Sequence, residues 1–306
     1  MVMDPIITVK NLKKSYDDIE AVKGIDFSVN RGEMFAFLGP NGAGKSTTIR
    51  ILCTLLEQDE GEVMIDGFVL GNDDNQIRNR IGVMFQHSVL DDELTVRENL
   101  EIRGSLYNPP KKGLMESIKE LEISLGLSSF IDRRYDKLSG GQKRRADIAR
   151  ALIHKPDILF LDEPTTGLDP QTRRSVWKSI HNIQKEKGMT VFMTTHYMDE
   201  ASEADTMIII DNGKIVESGT PEELKRKYTA MFLKLYPNEQ SEVLKWADNQ
   251  GISFIKDKDS IRIPINNAFE SIDFINVLRP YLRSFEVMAG TMDDVFIAVT
   301  GKELRE

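Results

Sequence analysis

The chain has 306 residues, 40% hydrophobic and 29% charged, a composition that supports a sizeable globular core and about two domains. Its formal net charge is -9, which argues against a general nucleic-acid binder with a basic face. A single cysteine, Cys53, excludes an intrachain disulfide, and its place in an apolar run reads as a buried side chain.

The first residues, Met1 to Pro5, carry no basic segment followed by an apolar stretch, so no signal peptide is expected. No apolar run approaches the roughly 20 residues of a membrane helix, so membrane association is expected to come through a partner. Residues 6–29 alternate as strands with turns, and 34–38 form a compact apolar strand. A glycine-rich loop follows, then a helical segment over 47–56, the opening of an α/β unit. Residues 87–157 read as a helical insertion. Thr95 to Glu98 is a capping box, the Pro109–Pro110 pair breaks the chain, and 114–127 resumes helical spacing. The α/β pattern returns with apolar strands at 158–161 and 191–195, separated by a helix over 170–187. Asp211-Asn212-Gly213-Lys214 predicts a hairpin, and Pro221 opens a further helix. From about Phe232 the order strand, helix, strand, strand, helix, strand predicts a small ferredoxin-like α+β domain. The expected domains are therefore 1–228 and 229–306.

Three motifs carry chemistry. Gly39-Pro40-Asn41-Gly42-Ala43-Gly44-Lys45-Ser46, followed by Thr47, fits the phosphate loop. Its glycines let amides turn toward phosphate oxygens, the helix adds its positive end, Lys45 reaches the β- and γ-phosphates, and Ser46 ligates Mg²⁺. Residues 158–161 are an apolar strand ending in Asp162-Glu163. Downstream of a phosphate loop, Asp162 is placed to hold Mg²⁺ through water and Glu163 to act as general base on the attacking water. Leu138-Ser139-Gly140-Gly141-Gln142 contains a second capping box and two glycines at a helix start, which makes a second anion site. One chain with one lysine loop needs only one phosphate site. The second makes sense if it receives the γ-phosphate of ATP held by another subunit. The basic run Lys143-Arg144-Arg145 reads as a solvated helix face.

With these motifs in order, the chain resembles the ATP-binding cassette family over roughly residues 4–225. That resemblance implies a P-loop NTPase fold: a RecA-like α/β core, an antiparallel β subdomain and a helical insertion. It implies ATP and Mg²⁺ as ligands and ATP hydrolysis as activity. It also assigns further residues. Gln86 matches the glutamine that contacts Mg²⁺ and senses the γ-phosphate. Asp169, in Gly167-Leu168-Asp169, matches the loop that crosses the dimer interface. His196 matches the switch histidine at the γ-phosphate, and Tyr16 the aromatic that stacks on adenine. Residues 86–100, 195–201 and 291–301 resemble the drug-resistance exporter ATPases typified by the daunorubicin exporter. Gln142 departs from that group, where many members carry Met. The implied partners are a second copy of the chain and a separate ABC-2 type membrane permease, with the chain on the cytoplasmic face of the membrane. An importer ATPase and a soluble non-transport ATPase are the alternatives. Residues 47–137 hold no sustained heptads, which disfavours a chromosome- or repair-type ATPase. Between Gln86 and Leu100, apolar Val89, Leu90 and Leu94 are interspersed with Asp91, Asp92 and Glu93, and this mixture predicts a groove for a cytoplasmic helix of the partner.

Overall fold

A computed structural model describes residues 5–107 and 110–301. Residues 1–4, read above for a targeting signal, and Pro109 lie outside them. The chain divides into two compact units, Met1–Thr220 and Pro221–Glu306.

The first unit opens with two long strands, β1 (Pro5–Tyr16) and β2 (Ile19–Asn30), whose alternating burial matches one core-facing side. With β4 (Glu60–Ile65) and β5 (Phe68–Val69) they form an antiparallel sheet of order β2-β1-β4-β5. The second sheet contains β3 (Met34–Leu38), β6 (Ile81–Met84), β7 (Ile158–Asp162), β8 (Thr190–Thr195), β9 (Thr206–Asp211) and β10 (Lys214–Gly219), in the order β10-β9-β3-β8-β7-β6. Its members β9, β3, β8, β7 and β6 run parallel. Strands β3, β7 and β8 are buried throughout, as the uninterrupted apolar runs of parallel strands require. Phe27 of the first sheet packs on Phe35, Phe37 and Phe192 of the second, within one core cluster. The hairpin at Asn212-Gly213 has positive φ at both positions, 49° and 79°, the pattern of a type I′ turn.

Helix α1 (Lys45–Leu52) follows β3, and α2 (Asp74–Arg80) precedes β6. The insertion holds α3 (Val96–Ser105), α4 (Lys111–Ser124) and α5 (Gly140–Leu152). Both expected capping boxes are formed, at Thr95/Glu98 and Ser139/Gln142. Helix α6 (Pro170–Lys187) runs between β7 and β8, ending on Gly188 in the left-handed conformation, and α7 (Met198–Ala201) is a single turn after β8.

The second unit contains α8 (Pro221–Tyr228), β11 (Met231–Pro237), α9 (Gln240–Asn249), β12 (Ile255–Lys256), β13 (Ile261–Ile265), α10 (Glu270–Leu278), β14 (Leu282–Met288) and α11 (Met292–Thr300). Its antiparallel sheet runs β12-β13-β11-β14, so the strand order in chain terms is 2-3-1-4, the order of a split β-α-β unit. Two expectations are adjusted. The compact units part before Pro221, so α8 belongs to the second unit rather than closing the first. Residues 291–301, given no element from the sequence, form α11, which Thr291 and Asp294 cap reciprocally and which packs on α8.

Leu235 is fully buried in the second unit's own core beside Ile261 and Ile263. Leu235→Ala should lower the unfolding free energy of that unit by about 2–5 kcal/mol. Urea titration followed at Trp246 would read this.

Candidate functional site

Four parallel neighbours, β3, β8, β7 and β6, end at the same edge of their sheet. The residues that follow them therefore meet, as the crevice at the carboxyl ends of an α/β sheet dictates. A cavity of about 550 Å³ opens there, lined by Ala21, Asn41, Gly42, Gly44, Lys45, Ser46, Thr47, Gln86, Glu163, Thr166 and His196. Most of the residues singled out in the phosphate loop, together with Gln86, Glu163 and His196, are brought to this one place.

The loop is built around Lys45. Gly44 has φ 106°, and a Cβ there would lie 2.5 Å from the Ala21 carbonyl, so only glycine fits. No side chain caps the N-terminus of α1, and its first turn holds no acid. Its leading amides and positive end are thus offered to the cavity. The Lys45 ammonium donates to the carbonyls of Gly39 (2.7 Å) and Pro40 (3.1 Å) and lies 3.5 Å from Glu163 Oε1. Burial pushes its pKa down, and the charges of Glu163 and Asp162 oppose that shift.

Two carboxylates stand opposite. Asp162 Oδ1 accepts from Thr194 Oγ1 at 2.5 Å and from Ser46 Oγ at 3.3 Å. Burial raises its pKa, and these bonds oppose the rise. Glu163 has φ 49°, left-handed for a residue with a side chain. Its amide is held by both the carbonyl and the hydroxyl of Thr194, each at 3.1 Å. Its carboxylate accepts from Thr166 Oγ1 at 3.1 Å, and His196 Nδ1 lies 3.4 Å from Oε1 without hydrogen-bond geometry.

Residues 22–166 match the protein family described as ABC transporter. The daunorubicin/doxorubicin resistance ATP-binding protein DrrA of Streptomyces peucetius is 38% identical, over 96% of this chain and 92% of that protein. This chain belongs to the ABC transporter ATP-binding family. The Nod factor export ATP-binding protein I of Ralstonia nicotianae is 33% identical, over 99% of this chain and 96% of that protein. Among solved structures, an ATP-binding cassette of an ABC transporter in its ADP conformation superposes with a TM-score of 0.66 at 29% identity, covering 72% of this chain and 93% of that one. A dimeric post-hydrolysis cassette bound to ADP and Pi gives 0.64 at 30% identity, covering 70% of this chain and 98% of that one. The chain is an ABC ATPase.

Other expected residues of the cassette lie outside the cavity. Ser139, Gly140, Gly141 and Gln142 sit at the start of α5, where Gln142 is turned back onto the Ser139 amide at 3.0 Å. A Cβ on Gly141 would lie 2.2 Å from the Thr172 side chain, so this glycine also permits close packing of α5 on α6. Asp169 caps α6 through Gln171 and Thr172, and the hydroxyl of Thr172 leads the contacts that lower its pKa. Tyr16 ends β1, 42% exposed, and does not line the cavity.

The basic run on α5 is not the solvated face expected. Arg144 donates to the Phe85 and Gln86 carbonyls, and Arg145 to those of Leu125 and Gly126. Asp147 of the same helix accepts from Ser88 Oγ at 2.5 Å. The segment carrying Gln86 is therefore gripped by the helix that Ser139 caps. Leu90 differs as well: it is 8% exposed and tucked inward, and the exposed apolar side chain of the segment is Val89, at 44%.

Thr194 escaped the sequence reading, although the doubled threonine ending a buried apolar strand was its signal, since a buried hydroxyl needs partners. Thr194→Val removes the donor to Asp162 and an acceptor for Glu163. Mg²⁺-dependent ATP turnover should fall about 10–100-fold, the order of loss when the hydrogen-bond support behind a site carboxylate is removed. Nucleotide binding without Mg²⁺, measured by fluorescence titration, should change little.

Proposed function

We propose that this ABC ATPase powers export through a separate ABC-2 type membrane permease, working as a dimer of two copies on the cytoplasmic face of the membrane. The observation that carries the catalytic half of this reading is the convergence of Lys45, Glu163 and His196 on one cavity with an uncapped helix N-terminus. The dimeric architecture of a related cassette supports the pairing, and relatives named for drug resistance and Nod factor export support the direction. Among the described residues no helix is long and apolar enough to cross a membrane, which fits attachment through a partner.

In this reading the loop from Gly39 to Thr47 wraps the phosphates, Lys45 neutralises the β- and γ-phosphates, and Tyr16 stacks on adenine. Ser46 and Gln86 would hold Mg²⁺, with Asp162 reaching it through water. The hydroxyl and amide oxygens suit a hard cation, and two such donors leave room for phosphate oxygens and for the water that Asp162 would hold. Bound there, Mg²⁺ offsets charge on the transferring phosphoryl group. Glu163 takes the proton of the attacking water as oxygen bonds to the γ-phosphorus and the bond to ADP breaks. His196 contacts the γ-phosphate and orients against Glu163. Ser139, Gly140, Gly141, Gln142 and Asp169 serve the site of the partner subunit, which explains why they lie outside this chain's cavity.

Glu163→Gln keeps the shape and removes the base. Steady-state phosphate release should fall about 10²–10⁴-fold while ATP binding persists. Turnover at the wild-type rate would remove Glu163 from the role of base.

The permease contact is tested at Val89, whose exposed side chain sits beside Asp91 and Asp92. Because Leu90 is buried, a charge placed there would disturb the fold, whereas Val89→Asp should not. In its native host the chain should sediment with membranes, and Val89→Asp should shift it to the supernatant with ATP binding intact. An unchanged soluble distribution for both proteins would favour a non-transport ATPase.

A further inference from the structure

Glu200 lies in α7, 2% exposed, and no nucleotide-binding role has been given to it above. One carboxylate oxygen accepts from Thr165 Oγ1, and the other accepts from Thr195 Oγ1 at 2.6 Å. Thr195 Oγ1 in turn accepts the Tyr197 amide at 2.9 Å. Thr165 belongs to the loop that begins at Glu163, and Thr195 immediately precedes His196. A single buried carboxylate thus bridges the two loops that carry the proposed base and the proposed switch histidine. A buried carboxylate is costly unless its oxygens are satisfied, so an arrangement with both oxygens engaged is rigid.

Arg173 completes the unit. It projects from α6, the helix that Asp169 caps, and its guanidinium lies 3.8 Å from the centre of the Tyr197 ring. Its Nε is 3.9 Å from Glu200 Oε1. The Tyr197 ring packs 4.1 Å from the His196 ring. Arg173, Tyr197 and His196 therefore stack outward from α6 to Glu163, with Glu200 closing the loop from behind. The Thr195 carbonyl also accepts the Gly39 amide at 3.3 Å, which ties this loop to the start of the phosphate loop.

We infer that Glu200 is a positioning residue for ATP hydrolysis: its carboxylate, pinned by Thr165 and Thr195 and flanked by Arg173, sets His196 against Glu163. The inference rests on the proposed role of His196. Glu200 touches neither the cavity nor the reacting atoms, so its loss should act on the chemical step rather than on binding. A displacement of about 1 Å in such a constellation costs on the order of 10²-fold in rate.

The test is kinetic and spectroscopic on the full chain. Glu200→Ala should lower kcat about 10²-fold with KM for ATP changed less than about twofold, and Glu200→Gln, which keeps one acceptor oxygen, should recover part of the loss. In single-turnover measurements, adding Glu200→Ala to His196→Ala should cost nothing further, because the residue acts through the histidine. In protein with ¹³C-labelled histidine, the His196 ring resonance should move while those of His87 and His154 stay. Glu200→Gln, isosteric with the native side chain, carries both measurements if Glu200→Ala does not fold. Wild-type kcat in a Glu200 variant, an unshifted His196 resonance, or a full additive loss on the His196→Ala background would each overturn the inference while the role of His196 stood. Wild-type turnover by His196→Ala would remove the role of His196 and this inference with it.

Discussion

A lysine kept inside a protein needs acceptors for its three protons, and the arrangement around Lys45 follows from that requirement. Two loop carbonyls and Glu163 surround its ammonium, and burial still lowers its pKa. Burial likewise raises the pKa of Asp162 at the end of β7. Both charges are held at some cost in the free chain. A triphosphate would set negative charge beside Lys45, so ligand binding and relief of its buried charge would be one event. The loop, the uncapped α1 and the two carboxylates are the means by which the fold keeps these groups in place beforehand.

Strand order explains why the acids sit where they do. Strand β8 lies between β3, which ends in the phosphate loop, and β7, which ends in Asp162. Thr194 of that central strand reaches Asp162 with its hydroxyl and holds the Glu163 amide with the same oxygen and its carbonyl. His196 emerges two residues later. A spacer strand thus supplies the support for Asp162, Glu163 and His196 together. A change in the position of β8 would be felt by all three.

Much of this was legible in the sequence, for identifiable reasons. The phosphate loop, the acid pair and both capping boxes are local patterns whose chemistry is fixed by spacing. Buried parallel strands show as apolar runs, and the type I′ hairpin shows as Asn212-Gly213. What the sequence hid depends on contacts distant along the chain. Arg144 read as solvated because nothing local says that the Gln86 carbonyl lies across the helix. Leu90 read as available to a partner because its burial depends on the packing of the helical insertion. Helix α11 was missed because the tail was judged by resemblance instead of by its Thr291–Asp294 cap. Tyr16 and Asp169 were placed by resemblance alone, and Asp169 has a structural reason of its own, the cap it forms on α6.

The backbone at Glu163 shows how the two acids come to face the phosphate loop. Successive side chains of an extended strand point to opposite faces, so a straight continuation of β7 would send Asp162 and Glu163 apart. Yet Asp162 reaches Ser46 and Glu163 reaches the vicinity of Lys45, both on the phosphate-loop side. The left-handed turn at Glu163, φ 49°, ends the alternation at that residue and brings the second carboxylate round. Such a conformation costs about 1–3 kcal/mol in a residue with a side chain, and it persists only when the surroundings over-determine it. Here two acceptors on Thr194 hold the amide, Thr166 holds the carboxylate, and Pro164 follows at once. Strain is therefore stored at the residue whose placement matters most to the proposed chemistry. The hydroxyls of Thr166 and Thr194, otherwise unremarkable in a sequence, bond Glu163 directly, and those of Thr165 and Thr195 hold Glu200 behind the same two loops.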